Sequence, residues 1–386
     1  MHLDKKVLVD LLRTPTAPYR EHLVLAKLRR ELREFKVPHF DDPHGNVVVG
    51  AGSESEYKKK LSLLNDEPLR LFIAHTDHPG FHGVSWDKKG QLLVKWHGGS
   101  PVNHLKGAKV WVGDATGYVD SGRFTDVKVH RSGLWMESAK ITGLSALDKK
   151  VDPKSLYGAF QFKKHVWSQG SVLYTKAADD LVGAFAITSL AIHLYTHAPE
   201  STRHFLGLLT RAEEVGFIGC LAHFHLGWLK LAKRPVLGVS LETSRTLPGA
   251  IVGKGPVVRL GDRASIFDSK SLEVLTQIAA KRLPGKHQRR VMDGGTCEGT
   301  VVTSYGFPCV AISIPLGNYH NQNFEGGPEA RGKGGPAPEF VHWKDIEGMT
   351  GLCEGLLEEK LPWNFPWGPR QSALEKRLKE ALPNLA

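Results

Sequence analysis

Four short apolar runs in this chain each stop at a cluster of ionisable residues, and that repeated pattern constrains the fold more than any other feature. Arg70-Leu71-Phe72-Ile73-Ala74 ends at His75-Thr76-Asp77. Phe205-Leu206-Gly207-Leu208-Leu209 reaches Thr210 and then Glu213-Glu214. Val236-Leu237-Gly238-Val239-Ser240-Leu241 ends at Glu242, and Cys309-Val310-Ala311-Ile312-Ser313-Ile314 leads through Pro315 into a loop that carries His320. Short apolar runs of this kind read as strands buried on both faces of a sheet. Helical periods lie between them, over residues 4–13, 20–35, 180–197 and 269–282; in the second, Leu25, Leu28 and Leu32 recur at helical spacing. Strands alternating with helices predict an α/β fold with a mixed sheet covered on both faces, a three-layer arrangement.

One stretch breaks this rhythm. From about 85 to 175, short β-rich pieces such as Gln91–Trp96, Ala108–Val112 and Lys128-Val129 alternate with Gly and Asp turns. That texture predicts a small inserted β-barrel-like domain over 85–175, with 1–84 and 176–386 forming the main domain. A chain of 386 residues suits such a two-part layout. Asp42–Asn46 reads as a turn before a Val47-Val48-Val49 strand, residues 326–338 as a Gly/Pro-rich loop, and Pro362–Trp367 as a segment whose aromatics pack locally.

Bulk properties exclude several classes. The formal charge of +11 is spread over short runs such as Lys58–Lys60, with no basic stretch interleaved with aromatics, so no nucleic-acid partner is expected. No run of about 18 apolar residues occurs, and the opening Met1–Lys6 lacks the apolar core of a signal peptide, so neither membrane insertion nor export is expected. Cys220, Cys297, Cys309 and Cys353 form no CxxC pair and read as free thiols of a cytoplasmic protein.

The chemistry lies in the clusters. Ligands of open α/β sheets bind outside the carboxyl ends of the strands. His75, Glu213-Glu214, Glu242 and His320 all belong to that edge, and Asp179-Asp180 joins them where a helix should begin. Imidazole and carboxylate without thiolate suit zinc, cobalt or manganese. A pair of such ions about 3.5–4 Å apart needs a bridging carboxylate and a set of ligands of about this size. Asp77, two residues after His75 on extended backbone, points to the same face and can accept the second ring N–H of a ligating imidazole. The adjacent Glu213 and Glu214 diverge, so one can bind metal while the other serves as a base. Taken singly, each residue has a plainer reading: a strand-end histidine, Asp179 as a helix N-cap, Glu213-Glu214 as an acidic pair opening a helix. The His193/His197 pair lacks the glutamate of HExxH and reads as helix surface. Gly253–Pro256 lacks Walker spacing, and no GxSxG occurs.

In order along the chain stand Asp42–Asn46, Ala74–Phe81, Ala178–Gly183, Glu213–Gly219, Gly294-Gly295-Thr296, and Ile314-Pro315 ahead of Tyr319-His320. Together these resemble the metallopeptidase family of the tetrahedral (TET) aminopeptidases and glutamyl aminopeptidase. The resemblance implies an aminopeptidase-like catalytic domain with two divalent metal ions, zinc first among the candidates, and a homo-oligomer acting on peptides. It implies His75 and Glu242 on one metal, Glu214 and His320 on the other, Asp179 bridging, Glu213 as general base, and Asp77 behind His75. The chain departs from the family pattern at Glu242, where Asp is usual, at Leu181, where Arg commonly follows the Asp pair, and at Cys297-Glu298 after Gly-Gly-Thr. Residues alone justify metal-assisted amide hydrolysis, so an N-deacylase or carboxypeptidase on the same centre, or a metal-free binding protein, stand as alternatives.

Overall fold

The computed structural model describes residues 3–385; of the opening segment, Met1 and His2 lie outside the described residues. An eight-stranded mixed sheet forms the base. Its strands run in the order His39–Asp41, Val47–Val49, Phe205–Thr210, Leu69–His75, Val236–Arg245, Cys309–Leu316, Val257–Asp262 and Gln288–Met292. The four central strands, Phe205–Thr210 to Cys309–Leu316, are mutually parallel and buried over nearly all their length. Those are the runs whose sequence ended on ionisable clusters, so parallel pairing brings the cluster-bearing ends to one edge.

Helices cover the sheet. Lys5–Arg13 starts where Asp4 accepts the Lys6 N–H and buries Leu8, Leu11 and Leu12 on one stripe. Leu181–His197 is apolar nearly all round and is buried from Leu181 to Ala191 except at Ser189, as befits a helix packed on several sides. The main core is continuous through these layers.

A closed antiparallel barrel of six strands interrupts the sheet domain. It comprises Gly80–Trp86, Leu92–His97, Met136–Thr142, Gly117–Val129, Lys109–Asp114 and Tyr157–Phe160, and encloses its own core around Phe81, Trp111, Phe124 and Phe160. The first barrel strand begins at Gly80. The Val166–Gln169 and Val172–Thr175 hairpin pairs with Glu339–His342 instead of joining the barrel. Barrel closure removes the open edges that so short a set of strands would otherwise expose.

Three local expectations are corrected. The cap of the Leu181–His197 helix is Asp180, whose side chain accepts the Gly183 N–H, so Asp179 is free of that duty. Glu213-Glu214 do not open a helix: they sit in a turn, and the next helix, Ile218–His225, begins beyond Gly216. Of the aromatics in Pro362–Trp367 only Trp363 packs inward, under the buried Arg70 guanidinium 5.2 Å from its ring centre, while Phe365 and Trp367 are exposed. The four cysteines are free and buried. Among the described residues no helix is long and apolar enough to cross a membrane.

Candidate metal centre

The parallel strands deliver the cluster residues as their sequence positions require. His75 ends its strand, and Glu242 lies within the Val236–Arg245 strand, three residues before its end. His320 sits in the turn after Cys309–Leu316 at φ 53°, a left-handed conformation that a non-glycine residue adopts only when its surroundings impose it. Glu339 holds this turn: one carboxylate oxygen accepts the His320 N–H at 2.9 Å. The other accepts the Ala178 and Asp179 N–H groups at 2.6 and 3.4 Å, so a single buried side chain ties together two of the segments that form the site.

Asp179 occupies the middle. Its Oδ1 lies 3.4 Å from His75 Nε2 and its Oδ2 lies 3.6 Å from His320 Nε2. Glu214 Oε2 approaches His320 Nε2 at 3.1 Å, and Glu213 Oε2 approaches His75 Nε2 at 3.8 Å. Three groups could each hold a metal ion: His75 with Asp179 and Glu242, Asp179 with Glu214 and His320, and His75 with Glu213 and Glu214. All seven residues read from the sequence are therefore brought together, six around these groups and Asp77 behind them. The first two groups share Asp179.

Asp77 has two tasks. Its carboxylate lies 3.5 Å from His75 Nδ1, which leaves Nε2 directed at the cluster. It also accepts the Glu213 and Glu214 N–H groups at 2.9 and 3.2 Å, fixing the turn that carries both glutamates. That turn is clamped from the far side. Asn46 accepts the Arg211 N–H and donates to the Gly219 carbonyl, while Glu21 accepts the Ala212 N–H. Gly219 must be glycine, because a Cβ there would meet Arg211 backbone and the Asn46 side chain.

The electrostatics are those of carboxylates crowded away from water. Burial raises Glu213 well above the usual carboxylate range; His75 opposes this, and Glu214, Glu242 and Glu298 add to it. Burial lifts Glu242 to about 7 against the pull of Arg259. For His320 burial works against the imidazolium, but Glu214 and Asp179 push it up to about 10. Burial would raise Asp179, yet His320 and His75 hold it below the usual range. Asp179 Oδ1, Glu214 Oε1 and His320 Nε2 are nevertheless buried without a hydrogen-bond partner. Unpaired polar atoms and an excess of buried carboxylate are costly in an apolar interior. Divalent cations would satisfy both, so the donor set fits a metal centre.

Beside the cluster opens a cavity of about 180 Å³, lined among others by Arg245, Arg259, Thr296, Tyr319, Gln322 and Phe324. Arg259 is 2% exposed; its Nη1 donates to Ser244, but its Nε has no partner. Sequence reasoning missed Arg259, Glu339 and Glu298. Glu298 is fully buried, accepts from Thr210 at 2.5 Å, and is lifted by burial to about 8. Its place two residues after Thr296, where the family pattern is broken, was the one available signal.

Several solved structures share this fold, among them TET and other aminopeptidases. The TET aminopeptidase from the marine sediment archaeon Thaumarchaeota archaeon SCGC AB-539-E09 superposes with a TM-score of 0.71 at 21% identity, over 92% of this chain and 96% of that one. The TET1 peptidase of Pyrococcus horikoshii, which can assemble into a tetrahedron or a large octahedral shell, gives 0.69 at 21% identity, over 92% and 99%. An aminopeptidase from the archaeon Desulfurococcus kamchatkensis gives 0.70 at 21% identity, over 93% and 95%. No curated protein matches the chain in sequence. The family model of M42 glutamyl aminopeptidase matches residues 58–324, well over half of the chain. The chain belongs to the M42 glutamyl aminopeptidase family, and is a peptide hydrolase.

Proposed function

We propose that this protein is an aminopeptidase that removes N-terminal residues from peptides, using two divalent cations held by His75, Asp179, Glu214, Glu242 and His320. The observation that carries the reading is the sharing of Asp179, one oxygen toward each histidine, between two groups of metal-competent residues. His75 and Glu242 would hold one cation, Glu214 and His320 the other, and Asp179 both. Zinc suits these donors, with cobalt or manganese next. When bound, the cations supply Lewis acidity, lowering the pKa of water toward about 7 and polarising a carbonyl oxygen.

The chain's own groups do the rest. Glu213, buried beside the cluster, takes the proton of the attacking water and returns it to the leaving amine. Asp77 holds the His75 ring and, through two backbone N–H groups, the Glu213-Glu214 turn. The cavity beside the cluster receives the side chain of the N-terminal residue. A dehydrated Arg259 with an unpartnered Nε favours an anionic side chain there, in keeping with the glutamyl preference named in the family description. The inserted domain, expected over 85–175 between 1–84 and 176–386, has its barrel strands between Gly80 and Phe160, and that barrel would serve as a lid and an assembly surface. A homo-oligomer is in keeping with the tetrahedron or large octahedral shell into which the Pyrococcus horikoshii TET1 peptidase can assemble.

The test is to strip the protein with chelator, reload it with zinc, cobalt or manganese, and assay aminoacyl amides against their N-acylated forms. The reading predicts two equivalents of metal and metal-dependent cleavage of free-amine substrates, fastest with glutamyl amide. Arg259→Ala should raise KM for glutamyl amide while leaving leucyl amide nearly unchanged. Cleavage confined to N-acylated substrates would support the deacylase, cleavage from the carboxyl end the carboxypeptidase, and failure to take up metal the binding protein.

A further inference from the structure

Tyr319 lines the cavity beside the cluster, together with His75, Asp179, Glu213 and Glu242. Its ring lies on the face of the His320 imidazole, with ring centres 3.7 Å and planes 22° apart. The turn that carries both side chains is strained and heavily secured. Asn318, His320 and Asn321 all have left-handed backbone, at φ 53°, 53° and 57°. The Asn318 side chain donates to the Gly326 and Pro338 carbonyls and accepts the Phe324 and Glu325 N–H groups. The Glu325 carboxylate accepts the Asn318 N–H at 2.5 Å, and that of Glu339 accepts the His320 N–H at 2.9 Å. This anchoring fixes two side chains at once, the His320 imidazole and the Tyr319 phenol.

The imidazole has a task in the cluster, whereas the phenol has none within the fold. Its hydroxyl makes no hydrogen bond among the described residues. Thr243 and Ser244, which also line the cavity, are committed inward: Thr243 donates to Asp180, and Ser244 accepts from Arg259. Burial raises the phenol's pKa, and Asp179, Glu214, Glu213 and Glu242 add to the rise, so the hydroxyl stands in the field of the cluster. A phenol is protonated at neutral pH even without that rise. It is a neutral donor held beside the place where peptide-bond hydrolysis builds negative charge, the carbonyl oxygen.

We propose that Tyr319 is a catalytic residue, donating a hydrogen bond to the carbonyl oxygen of the scissile peptide bond as that oxygen becomes an oxyanion. This rests on the aminopeptidase reading and deepens it. The water oxygen bonds to the carbonyl carbon, a water proton passes to Glu213, and the carbonyl π pair moves to oxygen. Tyr319 keeps its proton and strengthens its hydrogen bond as the charge grows. When the pair returns, the C–N bond breaks and Glu213 protonates the leaving amine. Stacking on His320 orders the phenol before substrate arrives, so no reorganisation is needed at the moment of reaction.

The test is Tyr319→Phe in the zinc-reloaded enzyme, which keeps the stacked ring and removes only the hydroxyl. kcat for glutamyl amide should fall by about 10²–10³, with KM, zinc content and Tm unchanged. A readout apart from turnover is calorimetric binding of the phosphonic acid analogue of glutamate, whose tetrahedral phosphorus mimics the adduct. Its affinity should fall by about the same factor as kcat, while that of glutamate, with its planar carboxylate, changes little. An unchanged kcat would overturn the proposal. So would a raised KM at unchanged kcat, which would make the hydroxyl a holder of ground-state substrate. Zinc loss in step with rate would overturn it by making Tyr319 a support of His320, and equal weakening of phosphonate and glutamate would overturn it too. The wild type separates the proposal from the reading beneath it. A zinc-loaded wild type that cleaves no free-amine amide overturns both, whereas one that cleaves it no faster than Tyr319→Phe overturns the proposal alone.

Discussion

Glu213 and Glu214 are neighbours with different surroundings. Glu214 reaches His320, whereas Glu213 faces His75 and sits among further carboxylates. If Glu213 moves the proton and Glu214 holds the metal, their amide variants separate. Glu213→Gln should lower kcat by about 10²–10⁴ with metal content unchanged. Glu214→Gln should lose metal as well as rate. Equal metal loss in both, read by elemental analysis, would contradict this division. A second residue-scale prediction concerns Lys176, which is buried, donates to the Thr14 carbonyl at 2.7 Å and lies over the Trp111 ring. Burial lowers its pKa from 10.5 to about 7, with Glu339 opposing. The unfolded chain therefore binds this proton more tightly than the folded one, so the protonated lysine penalises folding below about pH 7 and the penalty fades as pH rises toward 10.5. Thermal melts of the wild type should gain on those of Lys176→Met across that window. A constant difference between the two would mean that the lysine is not desolvated in the fold.

At the scale of elements, the turn between Thr210 and Ile218 decides where both glutamates point. Asn46 touches both ends of that turn, so Asn46→Ala should cost about 1–3 kcal/mol through the buried groups it leaves unpaired. It should also speed hydrogen exchange at residues 211–219 more than elsewhere. Uniform exchange with no loss of stability would count against the clamp. The elements themselves were legible because apolar runs closed by ionisable residues mark strand ends, and parallel pairing carries those ends to one edge. Which of two adjacent acids does which job was less legible. Asp179 and Asp180 are alike in sequence, and only the chain's path shows that Asp180 caps the helix and accepts from Thr243 while Asp179 turns to the histidines. Glu339 was not legible at all, and Glu298 showed only as a departure after Gly-Gly-Thr. Each becomes important because distant segments converge on it, which no local period records. The aromatics at Pro362–Trp367 misled for the same reason, since the partner of Trp363 is Arg70, far away in sequence.

At the scale of the whole molecule, the barrel also touches the site. Gly99, in the barrel loop after Leu92–His97, lies against the His320 ring so closely that a Cβ there would overlap the imidazole. Trp96 donates to the Gly99 carbonyl at 3.0 Å and holds the loop in place. Gly99→Ala should therefore displace His320 and weaken metal binding at the Glu214 side, while the melting behaviour of the sheet domain changes little. The central claim is that strand ends from across the chain hold two cations through one shared aspartate. Anomalous diffraction from crystals of the zinc-reloaded protein measures this directly. The account predicts two zinc peaks per subunit on either side of Asp179, one against His75 and Glu242 and the other against Glu214 and His320. A single peak, or zinc bound away from Asp179, would contradict it.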